Sequence, residues 1–223
     1  MARKKLERFK WNEEADNIFQ PEKENYTFYK GHWSDYFKNN NPIVLEVGCG
    51  RAEYTTGLAA LFPNMNYIGL DIKGARLWKG SQLSVEQGLT NTAFIRTKLQ
   101  NLEDFFVPGE VSDIWITFPD PKPRESEAKL RLPGMRFMTI YKRLMPQGGK
   151  IHFKTDNRPL FDHTLEVLKD PSFKIKDLVY THDLYQSDLL SEHYGIQTTY
   201  EKTYLKLGEK INYLRFEFLG EQG

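Results

Sequence analysis

Residues 43–52 read Ile43-Val44-Leu45-Glu46-Val47-Gly48-Cys49-Gly50-Arg51-Ala52. Branched apolar side chains with a single acid among them make a strand of the fully buried type. Gly48-Cys49-Gly50 ends it in a turn, where glycine admits backbone conformations that side chains disfavour. A helical pattern runs on through Leu58, Leu61 and Phe62 and stops at Pro63. Tyr67-Ile68-Gly69-Leu70-Asp71-Ile72 is the next strand, followed by a helix over roughly residues 74–88. Strands alternating with crossover helices predict a parallel sheet covered on both faces.

The alternation continues outward. Thr92 to Arg96 is a short third strand, and Val111 to Phe118 a fourth, stopped by Pro119-Asp120-Pro121. A helix over about residues 129–145 ends at Pro146-Gln147-Gly148-Gly149. Gly149 to Thr155 is a fifth strand, and Pro159 to Leu168 a helix. Near the C-terminus, Thr199–Leu207 and Ile211–Leu219 read as β-rich runs joined by Gly208-Glu209-Lys210. In the second run Leu214, Phe216 and Phe218 alternate with Arg215 and Glu217, a period of two. The pair is expected to form an antiparallel hairpin on the sheet edge. The expected fold is α/β and Rossmann-like, a mostly parallel sheet with a C-terminal antiparallel hairpin, as is typical of class I methyltransferases. Residues 1–42, polar and dotted with aromatics, are expected to form a basic N-terminal extension, and residues 43–223 a domain of that class I methyltransferase type.

Composition narrows the function. The chain has 223 residues, 39% apolar and 27% charged, which excludes disorder as its main state. No apolar run approaches the length of a membrane span, and the first ten residues lack the core of a secretory signal. Cys49 is the only cysteine, so no internal disulfide forms and a cytoplasmic setting is expected. His32, His152, His163, His182 and His193 show no ligand spacing, so no metal site is expected. A net charge of +1 announces no polyanion, but local clusters do. Arg3, Lys4, Lys5, Arg8 and Lys10 stand against Glu7 alone, either as a solvated tail or as an arm on phosphates. Residues 120–143 hold seven basic and three acidic side chains, a rim suited to a polyanion or, read blandly, a solvated helix face.

The glycine turn lies where a doubly wound sheet takes its nucleotide. A dinucleotide fingerprint needs a glycine where Glu53 stands, and that carboxylate would repel a diphosphate. Glu46, two residues before Gly48, instead suits a cation: it can order the ammonium end of S-adenosylmethionine while Gly48 and Gly50 admit close approach. Asp71 closes the next strand, the place for a carboxylate that accepts ribose hydroxyls. Cys49 reads as a small filler. Facing this turn is Phe118-Pro119-Asp120-Pro121-Lys122-Pro123-Arg124, stiffened by its prolines. It lacks the aromatic of the amino-methylating tetrapeptide and the Pro-Cys of cytosine C5 chemistry.

Together Glu46-Val47-Gly48-Cys49-Gly50, Ile68-Gly69-Leu70-Asp71-Ile72, Phe118-Pro119-Asp120-Pro121, Ile151-His152-Phe153-Lys154-Thr155-Asp156-Asn157 and Thr198-Thr199-Tyr200-Glu201 resemble, in order and spacing, the bacterial tRNA (guanine-N7)-methyltransferase family over roughly residues 40–219. The resemblance implies S-adenosylmethionine as cofactor and 7-methylguanosine in the tRNA variable loop as product. By it, Glu46, Asp71 and Asp120 match cofactor or active-site positions, and Arg124, Asp156 and Thr198 to Glu201 match substrate positions. The sequence departs from the family in several places. Ala52 stands where many members have glycine, tolerable where its φ is negative. Lys122 replaces a tryptophan and Arg124 a lysine, and within Thr97-Lys98-Leu99-Gln100 no acid or amide matches the family position beside the adenine, so that contact stays unassigned.

Guanine N7 carries a free lone pair, so the expected reaction is a direct in-line displacement needing alignment but no general base. Asp120 is expected to stabilise the cation that develops on the ring or to hold the base edge, with Asp156 a second candidate for the base. Arg124, Arg131 and Lys154 are expected on phosphates. Thr199 and Glu201 are expected to line the base pocket, and Tyr200 to stack there or to fill the core. The resemblance implies tRNA as the partner; no membrane and no metal are expected, and the chain is expected to be a monomer or homodimer. The alternatives are a methyltransferase acting on a small anionic metabolite and a non-catalytic RNA-binding protein on the same fold.

Overall fold

A computed structural model describes residues 2–219, with side chains from residue 5 onward. Eight strands form one sheet, in the order β1-β4-β3-β2-β5-β6-β8-β7. They are β1 (Ile18–Phe19), β2 (Ile43–Val47), β3 (Asn66–Asp71), β4 (Thr92–Arg96), β5 (Val111–Thr117), β6 (Lys150–Thr155), β7 (Ile175–Thr181) and β8 (Asn212–Phe218). Pairings from β1 through β6 are parallel, and β8 runs antiparallel to both β6 and β7. Helices α1 (Ala2–Glu14), α2 (Trp33–Phe37), α3 (Glu53–Leu61), α4 (Gly74–Glu86), α5 (Met135–Leu144), α6 (Arg158–Val167) and α7 (Thr199–Lys206) connect them. The central strands are buried throughout, because helices cover both faces.

The antiparallel finish stands, but not the expected hairpin. Thr199–Lys206 is a helix, and β8 is inserted between β6 and β7 rather than laid on the edge. The β-rich look of Thr199, Tyr200, Thr203 and Tyr204 is overruled by the capping box that precedes them. Thr198 Oγ1 accepts from Glu201 N at 3.0 Å, while the Glu201 carboxylate accepts from Thr198 N. The true antiparallel neighbour, β7, is half exposed and carries little periodicity.

The N-terminal segment packs onto the domain. Trp11 Nε1 donates to Ser81 Oγ and Asn12 Nδ2 to the Gly74 carbonyl, so α1 lies along α4. Strand β1 pairs with β4, and Phe19, Trp33 and Phe37 enter the main core. Trp33 Nε1 donates to the Phe105 carbonyl, which gives this buried indole its polar partner. Among the described residues no helix is long and apolar enough to cross a membrane.

Ala52 reverses the expectation set for it: its φ is +57°, in the left-handed region, which costs a non-glycine residue about 1–2 kcal/mol. Packing holds it there. Its methyl is fully buried against Gly80 of α4, where an added Cβ would lie 2.6 Å from the Ala52 Cβ and 3.1 Å from the Arg51 carbonyl oxygen. Gly80→Ala should therefore destabilise the protein by about 1–2 kcal/mol, although the same change in an open helix gains about 1 kcal/mol. Urea denaturation measures this, and Ala52→Gly introduced in the Gly80→Ala background should recover part of the loss, because the contacts with Phe94 Cε1 at 3.0 Å and the Arg51 carbonyl oxygen remain.

Candidate active site

The parallel strands deliver their C-terminal ends to one edge, and every candidate segment but one arrives there on a strand end. After β2 the chain turns through Gly48 (φ +71°), Gly50 (φ +58°) and Ala52 before α3 begins. An added Cβ at Gly50 would meet nothing within 4 Å, so the backbone there faces open space that a ligand can approach closely. Asp71, at the end of β3, fixes this turn. Its Oδ2 accepts from Gly50 N at 2.9 Å and its Oδ1 from Lys73 N at 2.7 Å.

Glu46 lies beneath the turn and is 3% exposed. Its Oε2 accepts from Thr55 N (2.8 Å) and Thr55 Oγ1 (2.6 Å), and its Oε1 from Thr117 Oγ1 (2.8 Å). One carboxylate thus pins the start of α3 and the end of β5 to β2. Burial raises its pKa to about 7, with the hydrogen bonds from Thr55 and Thr117 acting the other way. Cys49, also buried, has its thiol pushed far up by the same cause and stays an unreactive filler.

A raised carboxyl favours the protonated folded state. The stability this group contributes is complete below about pH 4.5 and is lost as pH rises through about 7. The loss is of order 3 kcal/mol, at about 1.4 kcal/mol per pKa unit. Denaturation of Glu46→Gln across pH 5–8 should show a flatter stability slope than the wild type; equal slopes would exclude the effect.

Strand β5 leads into the proline loop through Phe118, which has φ +47° although a proline follows; Lys122 has φ +48°. Such backbone costs of order 1–3 kcal/mol per residue and persists only where its surroundings hold it. Phe118 N donates to the Lys154 carbonyl at 2.9 Å, and its ring lies 5.3 Å from that of Tyr200. Arg131 holds the far side of the loop. Its Nε donates to the Lys122 carbonyl at 3.1 Å, its Nη2 lies 3.6 Å from Glu125, and its side chain is 11% exposed. Arg131 is therefore a loop brace, where a phosphate contact was expected. Asp120 projects from this loop with its side chain 78% exposed, 3.8 Å from Lys122 Nζ. Arg124 is exposed at the loop's end, before a 3-10 turn over Glu125–Leu130.

Lys154 also departs from its expected place on phosphates. It is fully buried, with Nζ 2.7 Å from Glu201 Oε1 and donating to Tyr54 Oη at 2.8 Å. Burial lowers its pKa, and the Glu201 carboxylate beside it acts in the opposite direction. Glu201 accepts from Tyr185 Oη as well and is itself fully buried, so it holds α7 against the sheet. Asp156, just past β6, accepts from Tyr200 Oη at 3.2 Å. Tyr200 stacks on Tyr204 at 4.2 Å and remains 43% exposed, at the surface rather than in the core.

The structure thus brings Asp156, Tyr200 and the Phe118–Arg124 loop together, and gathers Glu46, Asp71, Gly48 and Gly50 into a second group. Thr198 is the N-cap of α7, and Thr199 joins the two groups by donating through N and Oγ1 to the Glu53 carboxylate. In the sequence Glu53 stands out only as a repellent of phosphate. Its partner is 146 positions away, and no local spacing reveals it. Among the described residues no cluster of histidine, cysteine and carboxylate side chains is arranged to hold a metal ion. Two larger surface cavities, about 400 Å³ beside Trp11 and Tyr36 and about 450 Å³ beside Arg143 and Phe218, lie away from this edge. Asp120, Arg124, Thr199 and Tyr200 are all exposed along this edge, which makes that part of the candidate site an open shelf.

A glycine turn after β2, an acid closing β3 and an antiparallel strand inserted next to the last position define a Rossmann-like class I methyltransferase fold. Solved structures agree on that fold. The chain superposes on an antibiotic-related methyltransferase with a TM-score of 0.62 at 17% identity, covering 84% of this chain and 92% of that one. It superposes on the 16S rRNA methyltransferase KamB with a TM-score of 0.63 at 14% identity, covering 85% and 94%. Residues 40–214 match a family model described as a putative methyltransferase. The tRNA (guanine-N(7)-)-methyltransferase of Cytophaga hutchinsonii is 81% identical over 98% of this chain and 99% of its own length. That of Christiangramia forsetii is 45% identical over 97% and 98%, and that of Listeria monocytogenes 35% over 85% and 86%. The chain belongs to the tRNA (guanine-N(7)-)-methyltransferase family.

Proposed function

We propose that the protein transfers a methyl group from S-adenosylmethionine to N7 of a guanine in the tRNA variable loop. The observation that carries this reading is the 81% identity, over nearly the whole chain, to a relative bearing that activity in its name. The site supports it. The open backbone at Gly50, the carboxylates of Glu46 and Asp71, and the lack of a phosphate-binding glycine at Glu53 suit a cationic donor bearing a ribose.

S-adenosylmethionine, when bound, supplies an electrophilic methyl group. Gly50, open on the side where a side chain would stand, would admit it closely, Gly48 would shape the turn with Leu132 against it, Asp71 would accept from its ribose, and Glu46 would keep the turn in shape beneath its ammonium end. Asp120 would place a negative charge beside the guanine ring as that ring becomes cationic. Asp156, Thr198, Thr199 and Tyr200 would receive the base, with Tyr200 offering an exposed ring for stacking. Glu201 would act through the position it gives to Thr198–Tyr200. Arg124, on the rim, would meet phosphate. We assign residues 43–223 to the methyltransferase domain and residues 1–42 to an extension packed on it, whose Lys5, Arg8 and Lys10 add positive charge beside α4. Arg8 already lies over the Trp78 ring at 4.9 Å.

On the acceptor side the exposed Asp120, Arg124, Thr199 and Tyr200 favour a macromolecule over a small anionic metabolite, which needs enclosure to be held tightly. The test is methyl transfer from labelled S-adenosylmethionine into bulk tRNA, followed by nucleoside digestion. Label in 7-methylguanosine is expected. Label only in small molecules would move the reading to a metabolite enzyme, and cofactor-free RNA binding without transfer would move it to a binding protein.

A further inference from the structure

We propose that Glu53 is a positioning residue that couples the two halves of the site, so that occupation of the cofactor turn tightens binding of RNA. The inference rests on the reading of the chain as a tRNA methyltransferase and assigns Glu53 a role within it. Glu53 is the first residue of α3 and directly follows the turn Gly48–Ala52, which Asp71 and Glu46 hold from below. Its carboxylate reaches across the shelf to the first residue of α7, accepting from Thr199 N at 3.0 Å with each oxygen and from Thr199 Oγ1 at 2.5 Å. The next residue is Tyr200, bonded to Asp156 and packed on Phe118, which opens the Asp120 loop. The chain of contacts therefore runs from the cofactor turn to every element proposed to receive the base.

A second connection between α3 and α7 runs Tyr54–Lys154–Glu201, but it is buried and fixed. The Glu53–Thr199 contact sits at the rim, where water can replace either partner, so it can open and close. A negative charge at the N-terminus of α7 is favourable, and its hydrogen bonds are charge-assisted. A ligand seated on Gly48–Gly50 fixes the start of α3, and with it the Glu53 carboxylate. The N-terminus of α7 is then already in place when RNA arrives. Such coupling is reciprocal: RNA must tighten cofactor binding by the same factor.

The experiment compares the affinity of an unmodified tRNA transcript with and without saturating S-adenosylhomocysteine, in wild-type protein and in Glu53→Ala. Wild-type affinity should rise about tenfold on saturation, within the usual range for coupled sites. In Glu53→Ala the factor should fall to about one, with cofactor-free affinity within about twofold of wild type. Glu53→Gln, which keeps one acceptor, should restore part of the factor, and thermal melts should confirm that both variants are folded. A wild-type factor near one, or an undiminished factor in Glu53→Ala, overturns the coupling. If wild-type protein yields 7-methylguanosine while Glu53→Ala keeps the full factor, only the coupling fails. If wild-type protein yields none, the reading beneath it fails and the coupling with it.

Discussion

Asp120→Ala is expected to slow methyl transfer to tRNA by about 10²–10³-fold, the scale seen when one preorganised electrostatic partner of a transition state is removed. Affinity for S-adenosylhomocysteine should change by less than about threefold, because the lost interaction grows only as charge develops on the base. The reaction takes positive charge from sulfur to the guanine ring, so a carboxylate near the ring gains attraction at the barrier. In the structure the Asp120 side chain is largely exposed and near Lys122. A pair of unit charges 4 Å apart interacts by only about 1 kcal/mol in water, but by about 4 kcal/mol at an effective dielectric of 20. A docked base and its RNA would supply that change by covering the loop. Asp120→Asn keeps the shape and removes the charge, so it should show most of the loss. Single-turnover rates at saturating cofactor decide the matter, and a wild-type rate in the alanine variant would exclude the role.

The second large effect concerns folding. Glu201→Ala leaves the Lys154 ammonium buried without a counter-charge, facing the Tyr54 hydroxyl and the rings of Tyr54 and Phe118, and should destabilise the protein by about 3–5 kcal/mol. Lys154→Ala should cost as much, for the reverse reason. Against a total stability of about 5–15 kcal/mol for a domain, either loss is severe. Lys154→Met combined with Glu201→Leu removes both charges at similar volume and should recover part of the stability, the remainder being lost with the acceptor that Glu201 gives to Tyr185 Oη and Thr198 N. Guanidinium denaturation of the single and double variants provides the cycle; purely additive losses would show that the two side chains do not depend on each other.

Most of the sheet was legible because its central strands are short runs rich in branched apolar and aromatic residues, set off by nearby glycine and proline. Ile43–Val47, Asn66–Asp71 and Lys150–Thr155 fall within a residue or two of where the pattern puts them. Legibility fails where packing overrides local chemistry. Thr199–Lys206 has the composition of a strand, and only the Thr198–Glu201 spacing announces the helix. Ile18–Phe19 is too short to carry a period, and Ile175–Thr181 is too exposed to show one. At the site, residue types were readable but partners were not. Lys154 and Arg131 look like phosphate ligands in a basic run, yet tertiary burial turns one into half of an ion pair and the other into a brace. Ala52 keeps a conformation that its own side chain opposes, because Gly80 leaves room for its methyl.

The position of β8 also bears on how the chain acquires its shape during synthesis. Strand β7 lies at the sheet margin, and among the described residues β8 is its only neighbour there. When β7 leaves the ribosome it has nothing to join, and it must wait until some thirty further residues have been translated. The nascent polypeptide therefore spends that interval with an unzipped border, and β8 then closes it from both sides at once.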